Sequence, residues 1–424
     1  MNNRRQFLKL NAAGLAAMPF FQIRAASPND RLRVAVMGLG RGMDHIRAWQ
    51  QVPNVEIAAV CDVDSRRLGA AAAVVGKQGS PPQQLSDFRR ALEDKSIDVL
   101  SIAAPNFWHA PAAILACEAG KHVYVEKPGS HTAEEAGWMG AAAQKHGRLV
   151  QQGTQRRSLE SLMEAVQKLK EGAIGTVRFA RCWYDNARAP VRFAPAAPVP
   201  DWLNWTLWQG PATEQPYLDG MLHYNWHWRW HYGGGEMANN GVHMLDLALW
   251  AFSAIKGAPL TPLRVTCLGG RYHFQDDQET PDTTLATFDF GSFGIHFDAS
   301  SRHQRKGADQ HAFCTFYGDN GSLAMTSAGY RMYDLNGRQT GVNEPPFRDA
   351  PHFQNLADAI REGKKLHCDI ATGQRSALLC HLANIAYRTS GALTMDPATG
   401  SIADNAPARQ LWGKEYREGW KPKV

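Results

Sequence analysis

Short apolar runs that alternate with helical stretches constrain residues 31–151 more than any other feature of the chain. Residues 32–37 are apolar and β-prone and run into Gly38-Leu39-Gly40-Arg41-Gly42-Met43. Residues 55–61 form a second run, ending at Asp62. Residues 99–103 lead into Ala104-Pro105-Asn106-Phe107-Trp108-His109, and residues 123–125 into Glu126-Lys127-Pro128. Between them, residues 87–93, about 110–119 and 133–146 read as helices, the second stopping at Gly120, and 149–151 read as a last strand. Such alternation predicts a right-handed, doubly wound parallel sheet. Ligands of such sheets sit beyond the carboxyl ends of the strands.

The residues at those ends point to chemistry. Gly38 and Gly40 fit a dinucleotide-binding turn, in which backbone approaches a pyrophosphate at a helix N-terminus. The third glycine is displaced: Gly42 is present, while Met43 holds the usual place. Asp62, 24 residues after Gly38, suits the adenosine ribose hydroxyls and favours NAD; Arg66 and Arg67 nearby leave NADP open. A helix N-cap is the alternative role for Asp62. Lys127 is the leading catalytic candidate, because an amine in a partly desolvated cleft has a lowered pKa and can move protons near neutrality. A solvated lysine at a strand end is the plainer reading.

The second half reads differently. Gln151-Gln152-Gly153-Thr154-Gln155-Arg156-Arg157 opens it; Arg156 or Arg157 suits substrate hydroxyls, with a solvated helix start as the alternative. A helix to about residue 171 and a strand over 175–184 follow. Residues 186–232 are rich in Pro and Trp, and Trp226-His227-Trp228-Arg229-Trp230-His231 suits either a sugar-stacking wall, with Trp228 and Arg229 in contact, or core packing. No acid or Cys completes a metal site there. Asn239, His243 and Asp246, spaced by four and three, share one face of a helix. Residues 263–268, 282–290, 293–300 and 311–317 read as antiparallel strands, 352–362 and 372–390 as helices, and the tail with Trp412, Tyr416 and Trp420 as an ordered extension.

Gly38-x-Gly40, Pro105-Asn106-x-x-His109 and Ala119-Gly120-Lys121-His122-Val123 through Glu126-Lys127-Pro128 together resemble the glucose-fructose oxidoreductase / inositol dehydrogenase / rhizopine-catabolism (Gfo/Idh/MocA) family. The resemblance covers nearly all of residues 31–424. It implies a Rossmann-type NAD(P)-binding domain over 31–151, with Gly38, Gly40, Arg41, Gly42, Asp62, Pro105, Asn106, His109, Glu126 and Lys127 toward the cofactor. It also implies an open, mainly antiparallel β-sheet domain with helices over 152–395, which holds substrate and often mediates oligomerisation, and an extension over 396–424. Asn106 and Glu126 would lie near the nicotinamide ribose, and Lys127 would be the catalytic lysine. The family pattern has a catalytic Asp where this chain has Asn239, and a catalytic His at His243. Asn cannot accept a proton, so base duty falls on His243 or Lys127.

Asn3-Arg4-Arg5-Gln6-Phe7-Leu8-Lys9 resembles a twin-arginine export signal, with an apolar segment and Ala25-Ala26 behind it, so residues 1–26 are read as a signal and the protein as periplasmic or exported. A basic tail or an uncleaved anchor is the alternative. Of the formal +6 charge, Arg4, Arg5, Lys9 and Arg24 lie in this stretch against no acid, so the remainder carries only +2. No nucleic-acid partner is therefore expected, and no membrane contact beyond the signal. The seven Cys form no C-x-x-C and read as buried thiols, with one disulfide left open. The function expected is oxidoreduction of a sugar, glycoside or cyclitol hydroxyl by a homo-oligomer with tightly bound NAD. The alternatives are a glycosidase or lyase working through transient oxidation, and a non-catalytic sensor.

Overall fold

The computed structural model describes residues 31–302, 304, 313–389, 391–397, 399–403 and 405–424; the export-signal reading of residues 1–26 lies outside them. Six strands form the first sheet: β1 (Leu32–Met37), β2 (Val55–Cys61), β3 (Gln83–Leu85), β4 (Val99–Ile102), β5 (His122–Glu126) and β6 (Val150–Gly153). Their order is β3-β2-β1-β4-β5-β6 and every pairing is parallel. Helices cover both faces, so β4 and the middle of β5 are buried on both sides and are apolar except for Ser101. The order reverses between β1 and β4, which opens a crevice at their carboxyl ends.

Two local features differ from the sequence expectation. The helix expected from about residue 110 begins at Asn106 and runs to Glu118 with Pro111 inside it, although proline usually marks a first turn. A helix over Ser65–Gly76 was not anticipated. Its N-cap is Asp64, whose carboxylate accepts from the Arg66 amide, so the capping role weighed for Asp62 falls two residues later.

The second sheet contains β7 (Val177–Asp185), β8 (Arg264–Gly270), β9 (Thr283–Asp289), β10 (Gly294–Ser300), β11 (Cys314–Gly318), β12 (Gly321–Met325), β13 (Tyr330–Tyr333), β14 (Gln339–Asn343) and β15 (Ala392–Thr394), in the order β14-β13-β12-β11-β7-β10-β9-β8-β15. It is antiparallel except where β7 meets β10. One face packs on the helices Glu160–Lys170, Val242–Lys256 and Ile370–Arg388. The other leaves Phe179, Leu268, Leu285 and Tyr317 exposed. All seven Cys are buried and unbridged.

The two halves interlock. Leu203, Trp205, Trp208, Tyr217, Trp226 and Tyr232 bury themselves in the core of the first sheet. Phe353, from the helix Ala350–Glu362, stacks on Tyr124 of β5 with ring centroids 4.1 Å apart. The tail returns to the first domain: Lys414 Nζ lies 2.6 Å from the Glu135 carboxylate, and Trp420 packs edge-on to Trp108 at 5.2 Å.

Burial also sets an acid limit. His352 and His381 are both enclosed, and desolvation pushes each to about 4, against 6.5 for a free imidazole. Their folded pKa lies below the unfolded one, so the unfolded chain binds more protons as pH falls through 6.5. Stability is complete above pH 6.5 and is lost toward pH 4. Each histidine is expected to remove about 2 kcal/mol between pH 7 and pH 5, read as a falling urea midpoint. A flat midpoint over that range would refute the assignment.

Candidate active site

A cleft of about 760 Å³ opens beyond the carboxyl ends of β1, β4 and β5, under the chain from Leu207 to His227. At Gly38 the backbone has φ +85°, and a Cβ would stand 2.7 Å from the Ala103 carbonyl oxygen, so only glycine fits. Gly40 faces the cleft. Gly42 lies behind it as the first residue of the helix Gly42–Trp49, where a Cβ would be 3.1 Å from Val36 Cγ1. It thus serves the close helix–strand packing for which the fingerprint uses its third glycine.

Asp62 follows β2 directly, with its carboxylate held by two amides, Leu39 N at 2.7 Å and Asp64 N at 2.9 Å. Burial raises its pKa and those amides oppose the rise. Asp62 lines the cleft, and its carboxylate keeps lone pairs that can accept from ribose hydroxyls. Arg66 is committed elsewhere: its guanidinium lies 3.3 Å from the Trp202 ring centroid and pairs with Asp64 at 2.7 Å. Only Arg67 of the two reaches the cleft wall. The glycine turn and the fixed acid fit a dinucleotide without a 2′-phosphate. Asp62→Ala is expected to weaken NADH binding about 10- to 100-fold in a fluorescence titration; unchanged affinity would remove the ribose assignment.

The end of β5 carries the charged pair. Glu126 Oε1 receives Arg41 Nε at 3.1 Å and Gln155 Nε2 at 2.9 Å, with His45 Nε2 at 3.2 Å; Oε2 receives the Lys127 amide at 2.9 Å. Burial would raise this carboxyl, but His45 and Arg41 outweigh it and hold it well below the usual range. Glu126 therefore stays ionised and positions its neighbours. Pro105, Asn106 and His109 line the cleft beside it. His109 ties two loops together, with ring nitrogens 2.8 Å from the Ala104 carbonyl and 2.5 Å from that of Pro128.

Lys127 Nζ donates to Asn239 twice, to the carbonyl at 2.5 Å and to Oδ1 at 3.2 Å. Burial lowers its pKa, with Glu126 opposing. Asn239 sits in a π-helical turn, Met237–Gly241, at the head of the helix Val242–Lys256, and its Nδ2 donates to the Tyr224 hydroxyl at 3.2 Å. His243 lines the cleft with no hydrogen-bond partner among the described residues; burial, reinforced by Arg156 and Lys127, keeps it neutral. Arg156 completes this end.

Three expected substrate contacts lie elsewhere. Arg157 turns inward and binds Asp246 through Nε and Nη2 at 2.9–3.0 Å. Asp246 also receives Ser376 Oγ at 2.6 Å, so the face shared by Asn239, His243 and Asp246 divides, two members toward the cleft and one inward. Trp228 is 1% exposed and lies under the Arg188 guanidinium at 4.9 Å. Arg229 pairs with Glu279 at 3.1 Å, outside the cleft. Tyr224 and His227 occupy the wall instead. Only the density of aromatics and histidines in that stretch signalled them, and it did not say which faces inward. Among the described residues no three His, Cys, Asp or Glu side chains converge as a metal site.

The model of an oxidoreductase family with an NAD-binding Rossmann fold matches residues 32–154, and the GFO/IDH/MocA C-terminal domain matches 162–324, together about two thirds of the chain. The chain belongs to the GFO/IDH/MocA family. A glycosyl hydrolase family 109 protein of Shewanella pealeana is 36% identical over 159 residues, 31% of this chain and 35% of that protein. The D-glucoside 3-dehydrogenase of Escherichia coli is 29% identical over 238 residues, 55% of this chain and 58% of that protein. This GFO/IDH/MocA chain thus spans about a third to just over half the length of these curated relatives. Its fold matches that of the WlbA dehydrogenase of Bordetella pertussis, solved with NADH and UDP-GlcNAcA, at a TM-score of 0.66 and 18% identity, covering 86% of this chain and 99% of that one.

Proposed function

We propose that this GFO/IDH/MocA protein oxidises or reduces a carbinol carbon of a sugar, glycoside or cyclitol with a tightly held NAD. The observation that carries the reading is the convergence of Lys127 Nζ, its anchor Asn239 and the unpartnered His243 on one end of the cleft. The dinucleotide, when bound, supplies the hydride acceptor or donor. Lys127 takes up or returns the hydroxyl proton at Nζ, which burial has brought closer to neutrality. The Asn239 carbonyl and amide hold that nitrogen in place, and Asn239 itself exchanges no proton. Neutral His243 receives a substrate hydroxyl. The chain from Leu207 to His227 covers this end of the cleft and leaves the Lys127 and His243 side chains half-buried.

Tight retention is supported by contacts over the adenosine end: Ser65 N to Trp202 O, Asn204 N to Val63 O, both 3.0 Å, and His223 Nε2 to Asp64 at 2.8 Å. Export as a folded protein to the periplasm, supported by Arg4-Arg5 and the apolar stretch behind them, would suit a cofactor that travels inside. The exposed apolar face of the second sheet supports a homo-oligomer. A second reading, glycoside cleavage without net redox change, draws on the name of the glycosyl hydrolase family 109 relative.

The test uses purified protein with no cofactor added. Released nucleotide is assayed after denaturation, and native protein is incubated with a panel of nitrophenyl glycosides. Stoichiometric NAD(H) without cleavage supports sugar oxidoreduction; with cleavage it supports the second reading. No nucleotide, and no binding of supplied NAD, would overturn both.

A further inference from the structure

Charge is unbalanced where the substrate would lie. Of the carboxylates near Lys127 and Arg156, Glu126 and Asp349 are committed to Arg41 at 3.1 Å each, Glu236 to Arg188 at 3.0 Å and Asp246 to Arg157 at 2.9 Å. Lys127 is committed to Asn239. The Arg156 side chain has no polar partner among the described residues. It reaches the cleft wall from the 3₁₀ turn Gln155–Ser158 that follows β6. Its guanidinium lies 4.7 Å from the Phe313 ring centroid and 5.6 Å from that of Phe347. Its Nε is buried with no partner, and its side chain makes no hydrogen bond or ion pair with any described residue. Arg157, next in the chain, shows the contrast, with all its bonds directed to Asp246.

Stacking on rings engages the faces of a guanidinium and leaves its N–H edge unused. A cation withdrawn from water without a counter-charge is costly, by several kcal/mol. Burial pulls Arg156 down to about 10, with Asp349 and Asp246 opposing from a distance, and it remains protonated at neutral pH. A neutral sugar hydroxyl would satisfy single N–H groups and leave the charge uncompensated. A carboxylate satisfies both, by two parallel hydrogen bonds.

We propose that Arg156 receives a carboxylate of the substrate, so that the protein acts on an acidic sugar, a uronate or a uronate-bearing glycoside. This rests on the carbinol-oxidising reading above. A phosphate matches less well, because phosphate sites gather several uncommitted cations or helix N-terminal amides, and here Arg41 and Lys127 are already bonded to Glu126, Asp349 and Asn239.

The experiment compares matched pairs on full-length protein supplied with NAD: methyl β-glucuronide against methyl β-glucoside, and galacturonate against galactose. Affinity is read by calorimetry and hydride transfer by nicotinamide absorbance. The acid of each pair is expected to bind about 10- to 100-fold more tightly. Arg156→Gln should erase that advantage by weakening the acid of each pair far more than its neutral partner, and Arg156→Lys should restore part of it. Equal affinity for acid and neutral sugar, or an equal effect of Arg156→Gln on both, overturns the carboxylate site while hydride transfer still supports carbinol oxidation. Tighter binding of glucose 6-phosphate than of either uronate also overturns it. Arg156-dependent binding of acids without hydride transfer upholds the site and overturns the oxidation reading.

Discussion

Lys127→Ala is expected to lower turnover by about 10³-fold or more while NADH affinity stays within a few-fold. The side chain meets Asn239 and the open end of the cleft, whereas Gly38, Gly40 and Asp62 form the dinucleotide end. Lys127→Arg should not rescue the rate, because a guanidinium cannot give up its proton. Desolvation lowers the Lys127 pKa, so the limb of kcat/KM that it controls should lie below the 10.5 of a free lysine and vanish in the alanine variant. Steady-state rates across pH, with a parallel fluorescence titration of NADH, decide the matter. Turnover equal to that of the parent protein would remove Lys127 from the chemistry.

Asp246→Ala is expected to be the most damaging change to stability, at about 3–5 kcal/mol. It would strand the Arg157 guanidinium, only 6% exposed, without its carboxylate, and leave Ser376 Oγ without its acceptor. The expected readout is a large fall in urea midpoint with an unchanged slope. A catalytic role would show the opposite pattern, a lost rate with intact stability, and that result would return Asp246 to the active site.

The parts of this protein that were legible in its sequence are those where local pattern and environment agree. The central strands β1, β4 and β5 are covered by helices, so they are mainly apolar, with Arg33 and Ser101 as interruptions, and need no register to be recognised. Gly38, Lys127 and His243 stand at the turns that end strands or open helices, where sequence and topology fix position together. Short edge elements were not legible. β3 is Gln-Gln-Leu and β14 is Gln-Thr-Gly-Val-Asn, largely exposed and without alternation. Adjacent residues were the hardest case. Arg156 and Arg157 carry the same side chain one step along a 3₁₀ turn, and the structure sends one to the cleft and the other to Asp246. Only the position of a carboxylate 89 residues away separates them. The same holds for Trp228 and His227, whose exchange of roles depends on the path of the whole excursion.

The interlock between the halves bears on how the chain must be made. Phe107, Trp108 and Tyr124 belong to the nucleotide-binding half, yet their packing partners Trp208, Tyr232, Phe353 and Trp420 follow it by up to hundreds of residues. Without those partners, this half exposes bare aromatic surface. Cutting the chain after the first sheet would yield a sticky fragment rather than a portable nucleotide-binding module, and the halves should melt together in one transition.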